Sequence, residues 1–89
     1  MVKKLGKLLI DYDEASDVLY LSLNEPRPAL TYEGQEGLLI RKDPQTGEAV
    51  GVTVLAYDRH FRHLPDVSWL SSIGLPSDVV DYLEERPEL

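Results

Sequence analysis

Apolar and polar positions alternate with a period of two through the first two-thirds of the chain and shift to helical spacing in the last third. Lys7–Tyr12 is rich in apolar residues and stops at the polar stretch Asp13–Asp17. Val18–Leu23 alternates strictly, with Leu19, Leu21 and Leu23 on one face and Val18, Tyr20 and Ser22 on the other, the pattern of a strand. Asn24-Glu25-Pro26-Arg27-Pro28 breaks it. Ala29–Glu33 then reads as a short strand with Leu30 and Tyr32 on one side. Gly34 and Gly37 bracket a turn, and Leu38–Lys42 forms the next strand. In Asp43-Pro44-Gln45-Thr46-Gly47-Glu48, Asp43 starts a turn, Pro44 presets φ and Gly47 can take positive φ to close a bulged hairpin. Ala49–Tyr57 follows, with Val50, Val52 and Val54 expected on one face. Gly51 inside it marks a bulge or a close packing contact.

After Tyr57 the period changes. Pro65-Asp66 can open a short helix, with Trp69, Leu70 and Ile73 at helical spacing and Gly74 to end it. Pro76-Ser77-Asp78 opens a second, with Val79, Val80 and Leu83 as its apolar stripe and Pro87 as its stop. Arg59–Leu64 is the one linker-like stretch. The pattern predicts a single α+β domain over residues 1–89. An antiparallel β-meander of four to five strands spans residues 7–57, and residues 64–86 form a tail of one or two C-terminal helices packed on one face of the sheet.

Size changes the picture. A chain of 89 residues buries only about 64% of its unfolded surface on folding, near the low end for independent stability. Both faces of Val18–Leu23 carry bulk, and a short helical tail covers one. Val18, Tyr20 and Tyr32 are therefore expected to face a second subunit, making the chain a homodimer. Charge adds a constraint: 9 Lys and Arg stand against 16 Asp and Glu, a net charge of −7. Such a chain repels a phosphate backbone, so nucleic-acid binding is not expected, although Lys3, Lys4 and Lys7 give the first residues local positive charge. Leu8–Ile10 is too short an apolar run for a membrane span or a signal segment. There is no cysteine, hence no disulfide framework or thiolate site, which fits a cytoplasmic setting.

Candidate chemistry is sparse. Asp13 and Asp17 can accept hydrogen bonds from nearby backbone amides and close the turn between the first two strands, with the small Ala15 packed beneath. Asp11, Asp13 and Asp17 fall at positions 1, 3 and 7 of a calcium loop, but Ala15, Ser16 and Ser22 occupy the places of its other ligands, Gly and bidentate Glu. Asp58, His60 and His63 could supply three metal ligands if the backbone brought them together, the basis for an alternative reading as a small metal-dependent hydrolase. The interleaved Arg59 and Arg62 oppose a cation there. Arg59, His60, Arg62 and His63, around Phe61, can instead dock an acidic or phosphorylated partner. The pairs Glu84 with Glu85 and Asp78 with Asp81 read as a solvated helix face. Ser71, Ser72 and Ser77 lack the pattern of an activated nucleophile, and no phosphate-cradling glycine loop is present. No cofactor is expected. Trp69 reads as the anchor of the tail on the sheet.

Asp11-Tyr12-Asp13-Glu14-Ala15-Ser16-Asp17-Val18-Leu19-Tyr20-Leu21-Ser22-Leu23 resembles the opening "YD-x-x-x-D-x-LYI-x-L" signature of DUF2283, a family of small bacterial domains. Gly37-Leu38-Leu39-Ile40, the Asp43–Glu48 turn and Val50-Gly51-Val52-Thr53-Val54-Leu55 resemble its second half. The resemblance spans residues 8–58. It implies a compact antiparallel sheet with a helix and brings no catalytic residue with it. The chain departs from that pattern after Tyr57. Together these features indicate a small acidic homo-oligomeric protein-interaction module of antitoxin-like or regulatory kind, with an unidentified protein partner.

Overall fold

The structure, a computed structural model, describes every residue from Met1 to Leu89. One sheet contains six antiparallel strands: β1 (Val2–Leu5), β2 (Leu8–Asp13), β3 (Val18–Leu23), β4 (Leu30–Glu33), β5 (Leu38–Lys42) and β6 (Ala49–Leu55). Two 3-10 turns, Phe61–His63 and Ser68–Ser72, and one α-helix, α1 (Ser77–Glu85), follow. The α+β class agrees with the sequence pattern, whereas strand number and order differ. The extra strand is β1. Its two lysines interrupt any alternation and all four of its residues are exposed, so it carries no apolar signature. It pairs with β2 after a tight reversal in which Gly6 takes φ +57°.

The order β1-β2-β3-β6-β5-β4 is not one continuous meander. Two local meanders, β1-β2-β3 and β4-β5-β6, join through antiparallel pairing of β3 with β6. The prolines at 26 and 28 prevent a tight hairpin after β3. The chain instead crosses to the far edge of the sheet before β4 begins, and Arg41 of β5 donates to the Arg27 carbonyl at 3.0 Å.

The register fixes both faces, because residues directly opposite share a side. On the core side one row runs Lys3–Ile10–Leu21–Val52–Ile40–Tyr32 through all six strands, and another runs Tyr12–Leu19–Val54–Leu38. The interior members of these rows join Tyr57, Phe61, Leu70, Val79 and Leu83 in a core of 17 buried residues. The tail therefore covers one face, as its spacing predicts. Val79, Val80, Tyr82 and Leu83 are the buried side of α1, at the separations that share a helix face. The helix stops where Arg86 turns left-handed, φ +47°, just before Pro87. The shorter helical segment is a 3-10 turn held by Asp66, whose carboxylate accepts from the Ser68 amide at 3.0 Å and the Ser68 hydroxyl at 2.8 Å. Trp69 packs edge-on against Phe61, ring centres 6.4 Å apart.

Two expected side-chain placements are corrected. The β5–β6 register slips between Arg41, opposite Gly51, and Lys42, opposite Ala49. Val50 is the extra residue of this bulge. The insertion reverses the alternation, so Ala49 packs against the core and Val50 is buried outside it. Tyr32 lies opposite Ile40 on the core side of the sheet, beyond the reach of the tail, whereas Val18 and Tyr20 lie on the outer side. Alternation within an isolated strand assigns two sides but not which is inward, and the β3–β4 crossover sets that for β4.

Candidate functional site

The outer side of the sheet carries a second pair of rows. Val2–Asp11–Tyr20–Thr53–Leu39–Glu33 crosses all six strands, and Val18 stands directly opposite Leu55 beside it. The β3–β4 crossover approaches this side near Pro26, where Leu9, Tyr20, Ser22 and Arg41 border a shallow groove of about 230 Å³. Ser22 is buried, but Tyr20 and Leu55 are each 42% exposed. Asp11, Asp13 and Glu33 lie on the same side as this apolar centre. Lys4 and Arg41 belong to the neighbouring row of this side, Lys4–Leu9–Ser22–Gly51–Arg41, so the apolar centre is bordered by three carboxylates and two cations.

A second concentration of polar groups lies where the β2–β3 turn meets the segment after β6. Asp17 is left-handed, φ +57°, a conformation aspartate tolerates better than most residues. Its buried carboxylate accepts from the Tyr12 hydroxyl at 2.7 Å, the Asp58 amide at 2.8 Å and the Arg59 amide at 3.1 Å. Its carbonyl accepts from the Tyr57 amide at 3.0 Å. Arg59 Nε lies 3.4 Å from the same carboxylate. Burial alone would push the Asp17 carboxyl up. The Tyr12 hydroxyl, the two amides and Arg59 outweigh it and hold the group below the ordinary aspartate value. The Tyr12 phenol is in turn pushed up to about 12, first by its hydrogen bond to Asp17 and then by burial.

Asp17 therefore closes a joint 41 residues long in sequence rather than only the end of its own hairpin turn. Asp13 behaves as the sequence indicates, accepting from the Ala15 amide at 3.1 Å. Ala15 is exposed instead of packed beneath the turn. Beside the joint opens a depression of about 560 Å³, bordered by Glu14, Asp58, Arg59, Arg62 and Glu88 among others. Both of its arginines are paired within the chain: Arg59 with Asp17, and Arg62 with Asp58 at 2.5 Å and Glu88 at 3.3 Å.

Asp58, His60 and His63 do not converge. Asp58 is engaged by Arg62, and His60 pairs with Glu36 at 2.6 Å. His63 is exposed at the end of its 3-10 turn. No group of three or more His, Asp and Glu side chains is arranged to hold a metal ion. Within the Arg59–His63 cluster, Arg59, His60 and Arg62 each already face an acidic group of the same chain, and Phe61 is fully buried. The lysines of β1 are divided, with Lys3 on the core side and Lys4 on the outer side.

Sequence reading missed the long-range role of Asp17 and the Tyr12 and Glu36 partners. The available signal was the five-residue spacing of Tyr12 and Asp17 across a hairpin, which brings their side chains together only if Asp17 leaves the strand.

Fold and joint define a small α+β domain in which one antiparallel sheet is pinned to a helical cover. The sequence model of the protein family of unknown function DUF2283 matches residues 9–56, more than half of the chain. This chain belongs to that family. The matched segment runs from the second residue of β2 through β6, holds Tyr12 and Asp17, and ends just before the segment that carries the Asp58 and Arg59 amides. No curated protein and no solved structure matches the chain. No helix is long and apolar enough to cross a membrane.

Proposed function

We propose that this chain is a cytoplasmic, homo-oligomeric protein-interaction module that docks a basic protein in an antitoxin-like or regulatory manner. The observation that carries this reading is the outer stripe, where Tyr20 and Leu55 stand 42% exposed on the same side as Asp11, Asp13 and Glu33. Three carboxylates against Lys4 and Arg41 leave the border of this apolar centre net acidic, which fits a partner surface that is apolar in the middle and mainly basic around it. The Arg59–His63 cluster is a weaker candidate, since its cations are already paired within the chain.

Affinity capture from native lysate tests the assignment. A protein retained by the wild-type chain and lost from both Tyr20→Lys and Leu55→Lys is the expected result. Retention by both face variants with loss from an Arg59→Ala/Arg62→Ala double variant would move docking to the cluster. Absence of any specifically retained basic protein would remove the reading.

A further inference from the structure

We propose that the free edge of β4 pairs with the same edge of a second copy of this chain, antiparallel and about a two-fold axis through Thr31. This rests on the homo-oligomeric reading above and names its surface.

The sheet has two free edges, β1 and β4, each of four residues. They are defended differently. The first ten residues hold Lys3, Lys4 and Lys7 and no acid, so two β1 edges repel, a common guard against unwanted strand pairing. β4 reads Leu-Thr-Tyr-Glu. It has no lysine, no proline and no bulge of its own, and Leu30 and Tyr32 are 51% and 43% exposed. Local charge favours it as well. Residues 27–42 carry Arg27, Arg41 and Lys42 against Glu33 and Glu36, a net +1 within a chain of −7. Two copies therefore meet here with less repulsion than at the β1 edge, where each carries +3.

Backbone geometry supplies the register. The Gly34 amide donates to the Leu38 carbonyl at 2.8 Å, so Gly34 turns its polar groups toward β5. Alternation then turns the N–H and C=O of Thr31 and Glu33 to the open edge. Opposed residues must share a side of the sheet, so a two-fold register has to centre on a residue. Centred on Thr31, each Thr31 N–H donates to the carbonyl of the partner's Thr31, and Glu33 and the partner's Ala29 exchange bonds in the same way. Leu30 then lies opposite the partner's Tyr32, and Tyr32 opposite the partner's Leu30. These are aromatic–aliphatic pairs at the narrow positions of the ladder, where side chains approach most closely. A register centred on Tyr32 would set Leu30 against the partner's Gly34 and leave it uncovered. Two six-stranded sheets thus become one continuous sheet of twelve.

The absence of native cysteine makes a direct test possible. Opposed residues of a bonded antiparallel pair sit about 5.5 Å apart at Cα, within disulfide reach. Thr31→Cys is expected to oxidise to a covalent species of twice 10.1 kDa at least tenfold faster than Glu33→Cys, which this register holds away from its own copy. In sedimentation at micromolar concentration the wild-type chain and Tyr20→Lys are expected as dimers and Leu30→Lys as a monomer. Circular dichroism checks that each variant is folded. A dimer that survives Leu30→Lys but dissociates in Tyr20→Lys overturns the edge assignment and leaves the homo-oligomer standing. A monomeric wild-type chain overturns both. Equal oxidation of the two cysteine variants also overturns the pairing.

Discussion

The Tyr12 hydroxyl donates to the Asp17 carboxylate at 2.7 Å, and the same oxygen accepts the Asp58 amide at 2.8 Å. One side chain thereby joins β2 to the segment that leads into the helical cover. Removing it leaves two amides and a buried phenol without their acceptor. Asp17→Ala is expected to cost about 2–4 kcal/mol, because bonds to a charged acceptor are worth more than neutral ones and the orphaned donors lose their solvation. Tyr12→Phe removes one donor and is expected to cost about 1–2 kcal/mol. Urea unfolding of both variants measures the two losses. Equal costs for the two would contradict the central role given to Asp17.

The same pair sets two pH limbs. Asp17 titrates below the ordinary value of 3.8 in the folded chain. Its stabilising contribution is complete above 3.8 and drains away as pH falls through the lower folded value. Tyr12 is raised from 10.0 to about 12. The folded state favours the protonated phenol, so that contribution is complete below pH 10 and lost as pH climbs toward 12. Asp17→Asn is expected to shallow the acid limb of the urea midpoint, with Asp43 and Asp66, both also lowered, supplying the remainder. Tyr12→Phe is expected to shallow the alkaline limb, with Tyr57, also raised, keeping part of it. An unchanged acid limb in Asp17→Asn would refute the assignment.

Gly51 sits in the centre of the sheet, opposite Ser22, and a Cβ there would fall onto the Leu21 carbonyl oxygen. The obstacle is backbone, which cannot swing aside as a side chain can. Gly51→Ala is therefore expected to destabilise by about 3 kcal/mol, the upper end for overpacking. Gly47→Ala meets no atom within 4 Å but sits at φ +75°, so its cost is the backbone strain alone, about 1 kcal/mol. Thermal unfolding of the two variants side by side separates clash from strain.

The last residues are tied back by side chains. Tyr57 donates its hydroxyl to the Pro87 carbonyl at 2.6 Å, and Arg62 reaches the Arg86 carbonyl and Glu88. Tyr57→Phe is expected to release this end while the sheet stays intact. Hydrogen exchange should quicken by about tenfold at the Arg86 amide, which donates to the Leu83 carbonyl, and stay unchanged in β3 and β6. Faster exchange throughout would show instead that Tyr57 supports the whole core.

Much of the sheet was legible because burial imposes a period of two. Val18–Leu23 and Leu38–Lys42 have the bounds the alternation suggests. The Asp43–Glu48 turn closes as its residues dictate, with Asp43 accepting the Gln45 amide at 2.8 Å and Gly47 at φ +75°. β1 was illegible because none of its residues is buried. The β3–β6 pairing was illegible because alternation describes one strand at a time and says nothing about its neighbour. Of the candidate sites, the Val18–Tyr20 face could be read from the sequence, whereas the position of Tyr32 depended on the crossover. Asp17 announced a turn. Its grip on Asp58 and Arg59 depends on tertiary contact between segments 41 and 42 residues apart.

The strand order has a consequence for how the chain can be cut. Each half of the sheet is a consecutive run of three strands, and one exposed connection, Asn24–Pro28, links them. A backbone break there severs no ladder within either half. It leaves an N-terminal piece whose β3 presents an open side and a C-terminal piece whose β6 presents the matching one. The two pieces have the form of complementary fragments, able to reconstitute the domain by docking one against the other, and the same break marks a natural place to relocate the termini by circular permutation.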